Sequence, residues 1–401
     1  MRIGIDCRTI LNPEKGEAAG LGHYVYQLVR HLLKIDEKNN FVLFFDRTVE
    51  PRRLSKFRKP NVVIKFFPFI QYAKFLSFVY SHYLVSASLE REELDIFHSP
   101  TLTLPTNYKH PSVVTAHDLT LYKFPELYTD KASSIARTNI PEVLERAKKI
   151  IAVSNSTKKD LGELFGIAAR KIRVIYHGLD KRFFKLQTEQ EIEVVKKKYR
   201  VKRDYFLFLG EFHARKNILR IIEAFERLRD KLVRWSKIKE GRPGDEEQKA
   251  VFSKFQLVLA GRPSRGFSEI QNKINNSKYK DDIILPGYID PDDINALYKG
   301  ARALVFPTLY EGFGMPVIEA MANKTPVITS NVSSLPEIAK SRAILVDPYN
   351  VAEIAQAMFD CLMNVNLCRE ITRAGYEWAR NFSWEKCAQE TLNLYQEVAK
   401  L

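Results

Sequence analysis

Two glutamates, Glu311 and Glu319, bracket a glycine-rich turn in Glu311-Gly-Phe-Gly-Met-Pro-Val-Ile-Glu319. Upstream, Ala301-Arg-Ala-Leu-Val-Phe306 is the short apolar run of a strand buried on both faces of a parallel sheet. Downstream, Pro316 suits the first position of a helix running through about Ala322, where its missing N–H costs nothing. Gly312 and Gly314 let the backbone turn tightly and approach a ligand. Strand, glycine loop and helix start together offer free N–H groups and the positive end of a helix dipole to an anion. A carboxylate beside a phosphate would be repelled, so both glutamates read as acceptors for neutral hydroxyl groups. A ligand charged in its middle and polyhydroxylated at both ends fits, and a nucleotide-sugar is such a ligand.

Other chemistries find less support. Cys7, Cys361, Cys368 and Cys387 lack metal-binding spacing and read as buried free thiols of a reducing compartment. Asp290-Pro-Asp-Asp293 has a metal-binding Asp-x-Asp spacing but precedes a helical pattern, where it reads as a cap. A dinucleotide fingerprint would follow the first strand directly, whereas Gly20 and Gly22 come late and no third glycine follows. No Ser-His-Asp or Cys-His arrangement stands out as an activated nucleophile.

The 401 residues exceed the usual size of one core, which predicts two domains. With 45% hydrophobic and 28% charged residues, the composition is that of a soluble globular protein. Met1-Arg-Ile-Gly-Ile-Asp6 reads as an opening strand rather than a signal peptide, and no run reaches the ~18 apolar residues of a membrane span. The formal net charge of +15 predicts attraction to something acidic. Nucleic acid lacks any recognised motif. An anionic membrane surface is the favoured partner, against a merely lysine- and glutamate-rich surface. Phe66–Val85, rich in aromatics, reads as a helix on the first sheet or an amphipathic membrane-touching face.

Strand and helix signals alternate throughout, predicting an α/β fold of two doubly wound, Rossmann-like parallel-sheet domains facing a cleft. Residues 1–183 carry strands at Ile3–Ile5, Phe41–Phe45, Val62–Phe66, Asp95–His98, Val113–Ala116, Ile150–Val153 and Val174–Tyr176. Helices are expected at Tyr24–Leu33, after a loop through Gly20–Tyr24, and at Arg137–Ala147 and Asn155–Phe165. Lys181–Val201 is charged and helical in pattern and reads as a connection. Residues 184–380 then repeat the alternation, with strands at Tyr205–Leu209, Phe255–Ala260, Asp282–Leu285, Ala303–Phe306, Pro326–Thr329 and Ile344–Val346. Helices there include Ile218–Leu228, Asp292–Gly300 and Val351–Met363, and Lys231–Lys254 reads as a polar loop insertion. Ligands of such sheets bind at the carboxyl ends of the strands.

The whole chain resembles retaining glycosyltransferases of the two-domain GT-B architecture, the group that includes many mannosyl- and glucosyltransferases. The Glu-x7-Glu pair is the most specific motif. Gly20-Leu-Gly-His-Tyr24, Thr115-Ala-His-Asp-Leu119, Val153–Leu161, Val174–Asp180, Leu209–Asn217 and Leu285–Ile289 occur in the family's order. Phe382-Ser-Trp-Glu385 also matches; in the family, residues such as 381–401 form a helix crossing back to the first domain.

The resemblance implies that Lys216 and Arg215 grip the donor diphosphate and stabilise the leaving group. Amides after Glu311 (at Gly312, Phe313 and Gly314), with those near Gly22 and at Gly210, would add neutral donors. Glu319 would hold the ribose diol, Glu311 the donor sugar, and His117 would lie against that sugar. Backbone at Gly287, Tyr288 and Ile289 would read the nucleobase edge. The family retains anomeric configuration with no evident protein nucleophile, a phosphate oxygen taking the acceptor proton. No cofactor and no metal are expected, the nucleotide diphosphate-sugar being a substrate.

Departures from the family pattern are His23 and Glu211, where many relatives carry arginine, and His177, where asparagine is frequent. The expectation is a cytoplasmic, membrane-peripheral transferase moving a hexose to a glycan or lipid-linked acceptor in cell-surface polysaccharide synthesis. GDP-mannose is the first donor choice and UDP-glucose the second. A sugar-nucleotide epimerase and a non-catalytic nucleotide-sugar-binding subunit are the competing readings.

Overall fold

The computed structural model describes residues 1–10, 20–67, 83–128, 130–238, 255–264 and 266–400. The chain forms two units, Met1–Gly178 with Phe382–Leu401, and Leu179–Asn381.

In the first unit, seven strands form one parallel sheet: β1 Arg2–Asp6, β2 Asn40–Phe45, β3 Val62–Phe66, β4 Ile96–Ser99, β5 Ser112–Ala116, β6 Lys149–Ala152 and β7 Ile172–Val174. Their spatial order is β3-β2-β1-β4-β5-β6-β7. The chain reverses its direction of winding at β1 and β4, the switch point where open α/β sheets hold ligands. Strands β2, β4 and β5 are nearly all buried because helices cover both faces.

On one face pack the helices Gly20–Ile35 and Trp384–Val398, sharing a core of Tyr24, Leu28, Leu32, Trp384, Leu392 and Tyr395. These residues recur at the three- and four-residue spacing of one helical face. Fully burying each large side chain contributes roughly 1.5–3 kcal/mol, enough to hold the C-terminal helix on this unit. The other face buries Val143, Leu144 and Leu161 against Val114 and Ile150.

In the second unit six strands follow the order β10-β9-β8-β11-β12-β13. They are β8 Tyr205–Leu209, β9 Gln256–Ala260, β10 Ile283–Gly287, β11 Ala303–Phe306, β12 Val327–Ser330 and β13 Ile344–Val346. Every pairing is parallel, and the switch point lies between β8 and β11.

Several local expectations are corrected. The stretch Gly20–Tyr24 is the first turn of the helix Gly20–Ile35 rather than a loop. Its positive-φ glycine, Gly20, stands at the helix start, where a helical backbone is not yet imposed on it. Lys181–Phe184 is a 3-10 turn belonging to the second unit, not the end of the first. It is anchored there by Asn295 Nδ2 donating to Arg182 O at 2.5 Å and by Phe183 against Tyr298. Asp293 makes no side-chain cap on the helix Ile294–Gly300; its carboxylate accepts from Lys198 Nζ and Tyr199 Oη instead. Cys361 and Cys368 lie on two helices, Val351–Met363 and Val365–Ala379, and only Cys361 is buried. The helix Ile218–Ile238 runs into the segment read as an insertion, whose residues 239–254 lie outside the described residues. Residues 68–82 of the aromatic stretch do so too. Among the described residues no helix is long and apolar enough to cross a membrane.

Candidate functional site

The carboxyl ends of β8 and β11 bring together residues far apart in the chain. After β8, a 3-10 turn Ala214–Lys216 ends on Asn217 in the left-handed region, φ 64°. The Asn217 side chain bonds the carbonyls of Pro307 at 2.9 Å and Pro348 at 2.6 Å, so the turn is tied to the loop after β11. Leu309 N donates to Arg215 O at 2.8 Å and Arg215 Nη1 to Tyr310 O at 2.9 Å, closing the two loops on each other.

Within this frame Lys216 Nζ lies 2.6 Å from Glu311 Oε1, and Arg215 Nη1 lies 2.9 Å from the same oxygen. Lys216 and Glu311 are only 9% and 8% exposed. The Lys216 ammonium also sits 4.9 Å above the Phe306 ring. Burial pushes the Glu311 carboxyl up, but the Lys216 and Arg215 charges outweigh it and hold the pKa below the usual range. Two cations meet one carboxylate oxygen in a buried setting, where Coulomb forces are weakly screened. Such a cluster contributes little to stability, because desolvation offsets much of the attraction.

The expectation kept carboxylates and cations apart, the former for hydroxyls and the latter for phosphate. Here Glu311 and both cations form one cluster. The carboxylate neutralises part of the charge that the two cations bring into this buried setting.

The Glu311-Gly-Phe-Gly314 loop is fixed from beneath. Glu311 N donates to Ser333 Oγ at 3.1 Å. The Ser334 hydroxyl lies 2.9 Å from Glu311 O and 2.8 Å from Phe313 O. Gly314 is the residue before the helix Met315–Ala322, with φ 103°. That positive φ favours glycine, and a Cβ there would also stand 2.6 Å from Leu335 Cδ2, so that side chain would have to shift. Gly210 and Gly261, ending β8 and β9, pass each other so closely that a Cβ on Gly261 would overlap Gly210 O at 1.7 Å. That contact sets how near the β8 and β9 ends approach.

Glu319 lies on the helix Met315–Ala322 and is engaged differently. Its Oε2 accepts from Tyr298 Oη at 2.8 Å. Burial pushes its carboxyl up to about 7, opposed by the Tyr298 hydrogen bond and the Arg182 charge. At the end of β10, Gly287 has φ 78°, Tyr288 is 50% exposed beneath the Arg262 guanidinium at 4.3 Å, and Ile289 is buried.

The remaining predicted residues belong to the first unit. His117, at the end of β5, directs Nε2 to Pro100 O at 2.9 Å. Its ring meets Tyr24 edge-on at 4.6 Å and His177 at 5.4 Å. Burial holds the His117 imidazole below its ordinary pKa, so it is neutral near pH 7. His177 is lowered further, by burial and then by the neighbouring imidazoles. Gly22 lies in the first turn of the helix Gly20–Ile35. His98, fully buried between Tyr395 Oη (2.6 Å) and Thr115 Oγ1 (2.9 Å), is pushed down to about 3.

Sequence reasoning missed Tyr298, Ser333, Ser334, Tyr24 and His177 as parts of these clusters. Tyr298 lies within the expected helix Asp292–Gly300 and is fully buried; only its partner reveals the hydroxyl's task. Ser333-Ser334 reads as an ordinary loop, although two adjacent hydroxyls before Leu335-Pro336 are a helix-start signal.

Residues 189–378 match the family model described as "Glycosyl transferases group 1", and residues 18–183 match "Glycosyltransferase Family 4". The chain is 27% identical over 393 residues to O-antigen chain mannosyltransferase B of Escherichia coli, covering 96% of this chain and 97% of that one. It is 28% identical over 302 residues to the serotype-specific mannosyltransferase WbdA of Escherichia coli, spanning 72% of this chain but 34% of that longer protein. Among solved structures, sucrose-phosphate synthase of Thermosynechococcus elongatus superposes with a TM-score of 0.73 at 19% identity, over 99% of both chains. HepE of Anabaena, solved with UDP and glucose, superposes with a TM-score of 0.71 at 16% identity, over 99% of this chain and 100% of that one.

Proposed function

We propose that this chain, a GT-B glycosyltransferase of group 1, is a retaining, metal-independent hexosyltransferase that uses a nucleotide diphosphate-sugar. Its acceptor is a glycan or lipid-linked sugar of cell-surface polysaccharide synthesis, and its donor is GDP-mannose. The observation that carries this reading is the buried cluster of Lys216 and Arg215 on Glu311 at the switch point of the second sheet. The mannose choice is supported by the names of the Escherichia coli relatives.

The chemistry follows from the cluster. A donor diphosphate binding beside it competes with Glu311 for the two cations. As the sugar–phosphate bond breaks, the leaving diphosphate gains negative charge, and Lys216 and Arg215 bind that charge more strongly than the ground state. Glu311, released in part from its cations, accepts hydrogen bonds from sugar hydroxyls. Glu319 in its ionised form accepts from the ribose diol. Asp290 and Asp292 are not offered to a metal in this scheme: Asp290 Oδ1 accepts from Asp292 N at 3.1 Å, as in a local turn.

The test is transfer from a panel of nucleotide-sugars to mannose-terminated oligosaccharides, with the product anomer read by proton NMR and chelator present. The expected product keeps the donor's anomeric configuration, forms best from GDP-mannose and is indifferent to chelator. An inverted product, or activity abolished by chelator and restored by a divalent ion, overturns the reading.

A further inference from the structure

The carboxylate of Glu319 sits on a helix of the second unit, yet the nearest polar group on it comes from a different helix. Tyr298, in Ile294–Gly300, is fully buried, and its hydroxyl donates to Glu319 Oε2 at 2.8 Å. The tyrosine is itself held from two sides. Thr325 Oγ1 donates to Tyr298 O at 2.7 Å, and Tyr205 Oη donates to Leu297 O at 2.7 Å, so the backbone carrying Tyr298 is fixed at consecutive carbonyls. The Phe183 ring closes on Tyr298 at 6.5 Å. Such packing leaves the hydroxyl little freedom except along its bond to Glu319.

We propose that Tyr298 is the positioning residue of the donor site: it fixes one oxygen of Glu319 so that the other faces the vicinal hydroxyls of the donor ribose. This rests on the reading of Glu319 as the ribose ligand. A free carboxylate on a buried helix can rotate about its terminal torsion, which is broad and two-fold. Holding Oε2 by a phenol removes that freedom before the ligand arrives, and preorganised acceptors bind with a smaller entropic cost.

The charges acting on Glu319 come from one neighbouring segment. Arg182 lowers its pKa and Asp180 raises it, both from the turn beginning the second unit. The helix Val365–Ala379 packs Gly375 against Met321. Met321 points away from the Glu319 side of its helix, since residues two apart lie on opposite faces. The strand-facing Val317 and Ile318 are apolar and buried. Tyr298 is thus the neutral hydrogen-bond donor of the set, and its bond favours the ionised carboxylate.

The test is calorimetric titration of GDP and UDP, and of their 2′,3′-dideoxy analogues, into wild type, Tyr298→Phe and Glu319→Gln. Thermal melting checks that each variant is folded. Wild type should bind the tighter diphosphate at least about tenfold better than its dideoxy analogue, the factor of one hydrogen bond to a charged group. Tyr298→Phe should lose most of that discrimination while binding the dideoxy analogue as wild type does. Its binding should also need a higher pH than wild type, because the lost bond stabilised the ionised carboxylate. If wild type discriminates and Tyr298→Phe retains the full ratio and the same pH profile, Tyr298 is only a core residue and the proposal fails. If wild type itself does not discriminate, the ribose reading of Glu319 fails and the proposal with it.

Discussion

Lys216 Nζ and Glu311 Oε1 stand 2.6 Å apart although 95 residues separate them in the chain. They meet because β8 and β11 are neighbours in the sheet, which puts the loops at their carboxyl ends side by side. The Lys216→Ala variant removes one of two cations on Glu311 and leaves Arg215. Its turnover should fall by on the order of a hundredfold or more, the effect of removing one preorganised donor from a developing anion. Binding of the intact donor should weaken much less. Steady-state kinetics beside calorimetric binding separates the two; equal losses in both would place Lys216 in ground-state binding.

Glu319 makes a pH prediction whose sign is fixed by its raised pKa. Burial pushes its carboxyl up to about 7 in the folded chain, against an ordinary value of 4.5. The folded state therefore holds this proton more tightly than the unfolded one. The resulting stability is fully present below about 4.5 and is lost as pH rises through about 7. Thermal melting from pH 4 to 8 should show this slope in wild type and lose it in Glu319→Gln. Donor binding has the opposite trend, improving as Glu319 ionises. Glu319→Ala should cost on the order of 1.5–3 kcal/mol of donor binding for each hydrogen bond lost.

The first unit predicts the reverse pH behaviour. His98 is pushed down to about 3 from an ordinary value of 6.5, and His117 is lowered in the same direction, both chiefly by burial. Here the unfolded chain binds protons that the folded chain refuses. Stability is full above about 6.5 and declines as pH falls below it. His98→Gln, which keeps hydrogen-bonding capacity without titrating, should flatten the acid limb. An unchanged limb would mean that His98 is not buried as a neutral base.

Gly314→Ala forces a side chain into a left-handed backbone against Leu335. The strain alone costs roughly 1–3 kcal/mol, with the Leu335 overlap added. Trimming Leu335 to alanine as well should not restore stability, because the backbone strain persists. Differential scanning calorimetry of the single and double variants checks this.

The net charge of +15 predicts attraction to anionic vesicles, with roughly 1 kcal/mol contributed by each basic residue near the surface. Sedimentation with phosphatidylserine vesicles should be strong at low salt and weak at high salt. Indifference to lipid charge would assign the basic residues to solubility alone.

How much of this was legible beforehand follows from what each segment encodes locally. Tyr205–Leu209 and Ala303–Phe306 read as strands and are strands, since continuous apolar runs bounded by glycine or proline suit doubly covered strands. Asn155–Phe165 reads as a helix and is one, with Ser154 Oγ capping it by accepting from Thr157 N. The start of the helix Gly20–Ile35 was hidden because glycines carry a loop signal whichever structure follows them. The Tyr298–Glu319 bond was hidden for another reason: a tyrosine in an apolar helix gives no sign of what its hydroxyl meets. Contacts between remote loops are fixed by sheet order, and sheet order is written in no single stretch of sequence.

The central claim is that the second unit grips a nucleotide diphosphate through Lys216 and Arg215 and its ribose through Glu319. Calorimetric titration of GDP, with UDP beside it, into wild type and the Lys216→Ala/Glu319→Ala double variant tests it most directly. The account predicts saturable binding by wild type and loss of at least about two orders of magnitude in the folded double variant. Equal binding of both nucleotides by wild type and double variant would contradict it.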